Sequence, residues 1–194
     1  GYPHMLEVFA DEHPSQVIMA GAQTSKTARL IPRFVRSGIM RPGSFMAYYF
    51  PDQPLAAKFS SERFVPFIRS SHELSKFLGK ADMGQKGTDA VFTRTIGGSV
   101  YFFLSVSSRS GTEGMPMQGI FFDEMRLMSP GDVSRAEQRI KAQTNAVVMK
   151  VSTAGYPDSD IHAAFLAGDQ NYWHSDCSCP DGVVLSLSWP NCIA

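Results

Sequence analysis

The sequence predicts an α/β fold, a mostly parallel sheet between helical layers, on three observations. Continuous apolar runs recur at Ser15–Met19, Gly43–Phe50, Gly119–Phe122 and Ala146–Val151, the pattern of strands covered on both faces. Segments of helical character alternate with them. Two of the runs end in chemistry. The first closes in small residues and then Lys26-Thr27, the third in the adjacent carboxylates Asp123-Glu124.

Each element follows from local residues. Ser15–Met19 is a buried strand leading into a loop and a helix from about Ser25 to Ser37. Pro32 falls inside that helix and is expected to kink it or end it early. Gly43–Phe50 is a second strand, closed by Pro51 and Pro54. Leu55 to Phe77 reads as a long helical stretch, with Pro66 as its candidate break. Ala90–Thr95 and Ser99–Ser105 flank Gly97-Gly98 and read as a hairpin. Gly119–Phe122 is a short strand before the carboxylates, Ser134–Gln143 a helix, and Ala146–Val151 another buried strand. Internal repeats and low-complexity tracts are absent from the sequence. In a parallel sheet the ligand sits at the carboxyl ends of the strands. The loop after Met19, Asp123-Glu124 and Ser152-Thr153 would all fall there.

A length of 194 residues suits one α/β domain or one and a half, and 43% apolar residues suffice for a sizeable core. Lys+Arg and Asp+Glu balance at 18 each, which removes the strongest electrostatic argument for nucleic-acid binding, though a local patch survives a neutral total. No apolar run reaches membrane-span length, and no secretory leader opens the chain. Three cysteines, all near the end of the chain, are an odd number that argues against a disulfide framework and for a reducing cytoplasm.

The loop and the carboxylates together point to nucleoside-triphosphate chemistry. A phosphate-binding loop follows G-x-x-x-x-G-K-[ST], and here Ala20 and Ser25 stand where its glycines belong. Gly21, Lys26 and Thr27 keep the chemistry. Lys26 would neutralise the β and γ phosphates, and the Thr27 hydroxyl would bind Mg²⁺. Gly21, Ala22, Gln23, Thr24 and Ser25 form the cradle, with Gln23 and Thr24 as hydrogen-bond donors to phosphate. The plain alternative is an ordinary strand-to-helix turn with a surface lysine. A carboxylate pair at a strand end is costly to bury unless a cation compensates it. Asp123 would therefore reach Mg²⁺ through water, and Glu124 would orient and deprotonate the attacking water. If Glu124 fails in that role, Asp132 or Glu113 follows. Ser152 and Thr153 are placed to sense the γ-phosphate or the water, or are simply strand-end residues.

Arg109, in a polar loop before the carboxylates, is the candidate finger onto a neighbouring subunit's γ-phosphate, a role Arg94 and Arg126 could share. Cys177 and Cys179 are one residue apart, closer than the C-x₂₋₄-C of structural zinc, so free thiols are the better reading even with His174 nearby. Lys76 stands where a His72-Glu73 metalloprotease pattern needs its second histidine, and Gly97-Gly98-Ser99 lacks nucleophile-elbow spacing. Arg29, Arg33 and Arg36 share a helix face that could touch DNA, though a solvated face is the commoner meaning.

Taken in order, the chain resembles the ATPase part of the large terminase subunit of tailed bacteriophages, in the branch related to the lambda-type packaging enzyme. Gly21–Thr27, Phe59–Arg69, Phe121–Glu124 and Val151–Gly155 carry the likeness, with Ile161–Gln170 and Cys177 beyond. The resemblance implies a RecA-like P-loop fold of the additional-strand class. It implies Mg²⁺-dependent ATP hydrolysis driving double-stranded DNA into a capsid. Implied partners are a portal protein, the small terminase subunit and further copies of the chain, in the cytoplasm of the infected bacterium. By matching, Lys26 and Thr27 take the loop roles, Asp123 the metal role, Glu124 the catalytic role, and Ser152-Thr153 the coupling motif. The Cys-x-Cys spacing departs from the family's Cys-Pro-x-Cys knuckle. Residues 1–170 are expected to form the ATPase domain and 171–194 a segment leading toward a nuclease domain that this length cannot hold. Two other readings stand beside this one: another P-loop DNA motor of helicase type, or a catalytically weak assembly module.

Overall fold

Hydrophobic runs without a wet face have to be covered on both sides, and the chain does so with one central sheet. The computed structural model describes residues 8, 10–77, 91–108 and 114–172. Among them the strands are Ser15–Met19 (β1), Phe45–Phe50 (β2), Thr93–Ile96 (β3), Ser99–Ser105 (β4), Gly119–Asp123 (β5) and Val147–Ser152 (β6). Their order across the sheet is β1-β6-β5-β2-β4-β3. All neighbours run parallel except β3 against β4, which form the edge hairpin around Gly97-Gly98.

The helices placed in full among the described residues are Lys26–Ile39 (α1), Gln53–Phe59 (α2), Val65–Ser70 (α3), His72–Ser75 (α4), Pro130–Glu137 (α5) and Asp160–Leu166 (α6). Strand alternation divides the core. Met46, Tyr48, Phe50, Phe121, Met149 and Val151 face α1 and the α2–α3 stretch. Ala47, Tyr49, Ile120 and Phe122 face the other way, toward Val133 and Ala136 of α5 and Ile161 of α6. Phe34 of α1 is the hub of the first side. Its ring meets Phe121, Tyr101, Tyr48 and Phe103 edge-on at centroid distances of 4.9, 5.1, 5.2 and 6.0 Å, an arrangement the ring quadrupoles favour. The last turn of α1 rides so close to β4 that a Cβ on Gly38 would collide with the Tyr101 hydroxyl.

Three expectations need correction. Pro32 neither ends nor shortens α1, which runs on to Ile39. An interior proline costs roughly 3 kcal/mol, but Leu30, Ile31, Phe34 and Val35 are all buried on either side of it, each contributing about 1.5–3 kcal/mol. Packing wins. Pro66 does not break its helix either. It follows a π-helical turn, Ser60–Phe64, in which the Val65 N–H reaches back to the Ser60 carbonyl, and the wider turn gives the pyrrolidine ring room. The break comes at Ser71, whose extended backbone ends α3 and whose hydroxyl caps α4 through the Leu74 N–H. The helix expected over Ser134–Gln143 starts earlier, at Pro130, and gives way to a 3₁₀ turn at Gln138–Ile140. Proline at the first helical position is preorganised for that start.

Candidate active site

β1, β6 and β5 lie side by side and point the same way, so the loops after Met19, Ser152 and Asp123 share one edge of the sheet. β6 is the added strand between the loop strand and the carboxylate strand. Its last residue ties its neighbours together. The Ser152 carbonyl accepts from the Ala20 N–H at 3.2 Å, and its hydroxyl accepts from the Arg126 N–H at 3.1 Å. Ser152 is fully buried, whereas Thr153 is only half-buried.

The loop after β1 turns without glycine at its tightest points. Gln23 and Ser25 have φ of 57° and 64°, and Ser25 precedes α1 without capping it through its side chain. Ser25 therefore adopts the left-handed conformation that the usual glycine would supply at no steric cost. Gly21, Ala22 and Gln23 are exposed. Thr24 Oγ1 donates to the Gly21 carbonyl at 2.8 Å. Lys26 turns back, donating Nζ to the Ala20 carbonyl at 3.1 Å and to the Gly21 carbonyl. Burial draws the Lys26 pKa below the ordinary lysine value, with the Glu124 and Asp123 charges opposing that shift.

Thr27 and Asp123 are 96 positions apart in sequence, and here Thr27 Oγ1 donates to Asp123 Oδ2 at 3.3 Å. The same oxygen accepts from the Tyr48 hydroxyl at 3.0 Å, while Oδ1 accepts from the Glu124 N–H at 3.1 Å. Burial pushes the Asp123 carboxyl pKa up. The Tyr48 and Thr27 hydroxyls and the Glu124 N–H pull it back, while the Glu124 charge adds to the rise. Glu124 takes the left-handed conformation, φ 56°. Its Oε2 is buried with no hydrogen-bond partner among the described residues, and Arg126 Nε stands 3.7 Å from it. A hydroxyl and a buried carboxylate at the end of a phosphate-type loop are oxygen donors of the kind hard divalent cations take. The second carboxylate, Glu124, accepts no hydrogen bond at Oε2 among the described residues and is faced there by the Arg126 guanidinium.

Of the residues singled out from sequence, Gly21 to Thr27, Asp123, Glu124, Ser152 and Thr153 fall on this one edge. Arg126 is there too, beside Glu124. Arg94 is not. It is buried in β3, at the edge of the sheet far from the loop. Asp132 pairs with Arg135 in α5. Arg109, Glu113, Cys177 and Cys179 lie outside the described residues.

The arginine face of α1 is a further correction. Arg29 and Arg33 are buried, not solvated. Arg29 Nη2 donates to the Asp11 carbonyl at 2.6 Å, Arg33 Nη2 to the Glu12 carbonyl at 2.7 Å, and Arg36 pairs with the Glu12 carboxylate. Sequence reasoning also passed over Tyr48. The available signal was a tyrosine within an otherwise apolar strand, whose hydroxyl needs a partner when buried.

Residues 4–192, nearly the whole chain, match the family model of the phage terminase large subunit gpA, ATPase domain. The chain belongs to that family. Solved terminases share its fold. The ATPase domain of the large terminase of Thermus phage P74-26 superposes with a TM-score of 0.69 at 15% identity, covering 89% of this chain and 72% of that one. The HK97 bacteriophage large terminase gives 0.64 at 13% identity, covering 79% of this chain and 32% of that one. A large terminase from a thermophilic bacteriophage, solved in complex with ADP, gives 0.60 at 15%, covering 86% and 40%. This chain thus spans about a third of the HK97 protein and two-fifths of the ADP-bound one. No curated protein matches it by sequence. The mostly parallel sheet is the RecA-like P-loop sheet of terminase ATPase domains.

Proposed function

We propose that this chain binds and hydrolyses ATP with Mg²⁺, as the motor part of a terminase that drives double-stranded DNA into a capsid. The observation that carries the reading is the meeting of Thr27 Oγ1 with Asp123 Oδ2 at 3.3 Å, at the end of a phosphate-type loop. Thr27 and Asp123 hold the metal, which offsets phosphate charge when bound. Lys26 leaves the Ala20 and Gly21 carbonyls to meet the β and γ phosphates, while the amides of 21–27 line the cradle. Glu124, whose carboxylate faces Arg126 Nε at 3.7 Å, takes the proton of the attacking water. Ser152, bonded to both neighbouring loops, and Thr153 relay phosphate loss. Arg109 serves as the finger supplied to a neighbouring copy. Residues 1–170 form the ATPase unit and 171–194 lead away from it. Portal protein, small terminase subunit and further copies of the chain are the partners, in the cytoplasm of the infected bacterium.

Two observations favour a second reading. The Lys26 ammonium is bonded to its own loop, and Ser25 strains where glycine would relax. A loop closed in this way could have lost its phosphate grip, leaving an assembly module. Titration with ATP and Mg²⁺ decides between them. Saturable binding that Lys26→Ala abolishes supports the ATPase. Absent binding, or equal binding by the variant, supports the assembly module.

A further inference from the structure

Tyr48 lies in β2 with no exposed surface. The rings of Phe59, Phe50, Phe34 and Phe121 surround it at centroid distances of 4.5, 4.8, 5.2 and 6.2 Å. Sheet register sets it opposite Phe121. Asp123, two residues further along β5, therefore turns its side chain to the same face. From inside the ring cage the Tyr48 hydroxyl reaches Asp123 Oδ2 at 3.0 Å, the oxygen that also accepts from Thr27 at 3.3 Å. With Oδ1 held by the Glu124 N–H, both carboxylate oxygens are fixed, one of them from the core.

We propose that Tyr48 is a positioning residue for Asp123, holding the carboxylate toward the Thr27 hydroxyl and so setting the Mg²⁺ affinity of the nucleotide complex. This inference rests on the reading of the site as one for Mg²⁺ and ATP. Packing alone does not need the hydroxyl, because phenylalanine would fill the same cage. The neighbouring strand position supplies a matched control. Tyr49 points to the opposite face, and its buried hydroxyl oxygen has no hydrogen-bond partner among the described residues.

The experiment compares the parent chain, Tyr48→Phe and Tyr49→Phe. Each is titrated with a fluorescent ATP analogue over a range of Mg²⁺ concentrations, and again in excess EDTA. Tyr48→Phe is expected to raise the half-saturating Mg²⁺ concentration about tenfold, the scale of losing a partner that orients a metal ligand. Its metal-free nucleotide affinity should stay within about twofold, and Tyr49→Phe should match the parent throughout. A folded Tyr48→Phe with the parental Mg²⁺ dependence overturns the proposal, as does an equal shift in Tyr49→Phe. A parent chain that binds no nucleotide at all overturns the site reading and this inference together. Parental binding with an unmoved Mg²⁺ curve overturns this inference alone.

Discussion

The two edges of the sheet turn the chain by different means. At the amino edge the left-handed positions are glycines: Gly43 before β2, and Gly97-Gly98 between β3 and β4. At the carboxyl edge they are not. Gln23 and Ser25 after β1, Glu124 after β5, and Asp158 and Asp160 after β6 all adopt positive φ with a side chain attached. Each such residue costs on the order of 1–2 kcal/mol, less for aspartate. The same edge buries Lys26 and Asp123. One edge is therefore cheap to fold and the other is held in place by the packing beneath it, as strained functional sites usually are. The candidate chemistry sits on the expensive edge.

Removing the support is the most severe way to break this contrast. Phe34→Ala empties the ring cluster under both Tyr48 and Phe121 and should cost about 3–5 kcal/mol in urea denaturation. A loss below about 1 kcal/mol, far under the usual range for a buried ring, would mean that the hub is not what holds the strained edge. Next in size is Glu124→Gln, which keeps shape and left-handed backbone but removes the base. Hydrolysis by the assembled motor should fall at least about a hundredfold, roughly 2.7 kcal/mol of barrier. Nucleotide affinity should stay within a few-fold, because the lost interaction belongs to the transition state. A parental rate would move the role to Asp132 or Glu113. The smallest effects sharpen the contrast directly through their signs. Ser25→Gly relieves a left-handed serine that makes no side-chain cap and should stabilise the nucleotide-free chain by up to about 1 kcal/mol. Gly43→Ala, at φ 86° with open space around it, should destabilise it by about as much. Thermal melts showing the same sign for both would end the distinction.

Much of the architecture was legible because it rests on continuous apolar runs and on glycine pairs. β1 falls where expected, and the hairpin turns at Gly97-Gly98. Local rules failed where tertiary packing outweighed them. Pro32 persists in a helix whose flanking turns are buried, and Pro66 follows a π turn that no residue pattern announces. The start of α5 was legible in Ser129-Pro130 and overlooked. At the candidate site, the loop and strand-end residues were legible from local pattern. Tyr48 was not, since its contact with Asp123 depends on register between β2 and β5. Arg29 and Arg33 looked like surface charge because their partners are carbonyls, which every residue carries.

Those arginines have a mechanical consequence. Among the described residues β1 is an edge strand, bonded along its length only to β6. A pull on the chain ahead of it would peel an unsupported edge strand from one end, one bond at a time. Arg29, Arg33 and Arg36 grip residues 11–13 before that strand begins. Tension arriving from the amino-terminal side is thus shunted into α1, a helix whose first residues are Lys26 and Thr27. Load on that side and occupancy of the loop bear on the same rigid rod.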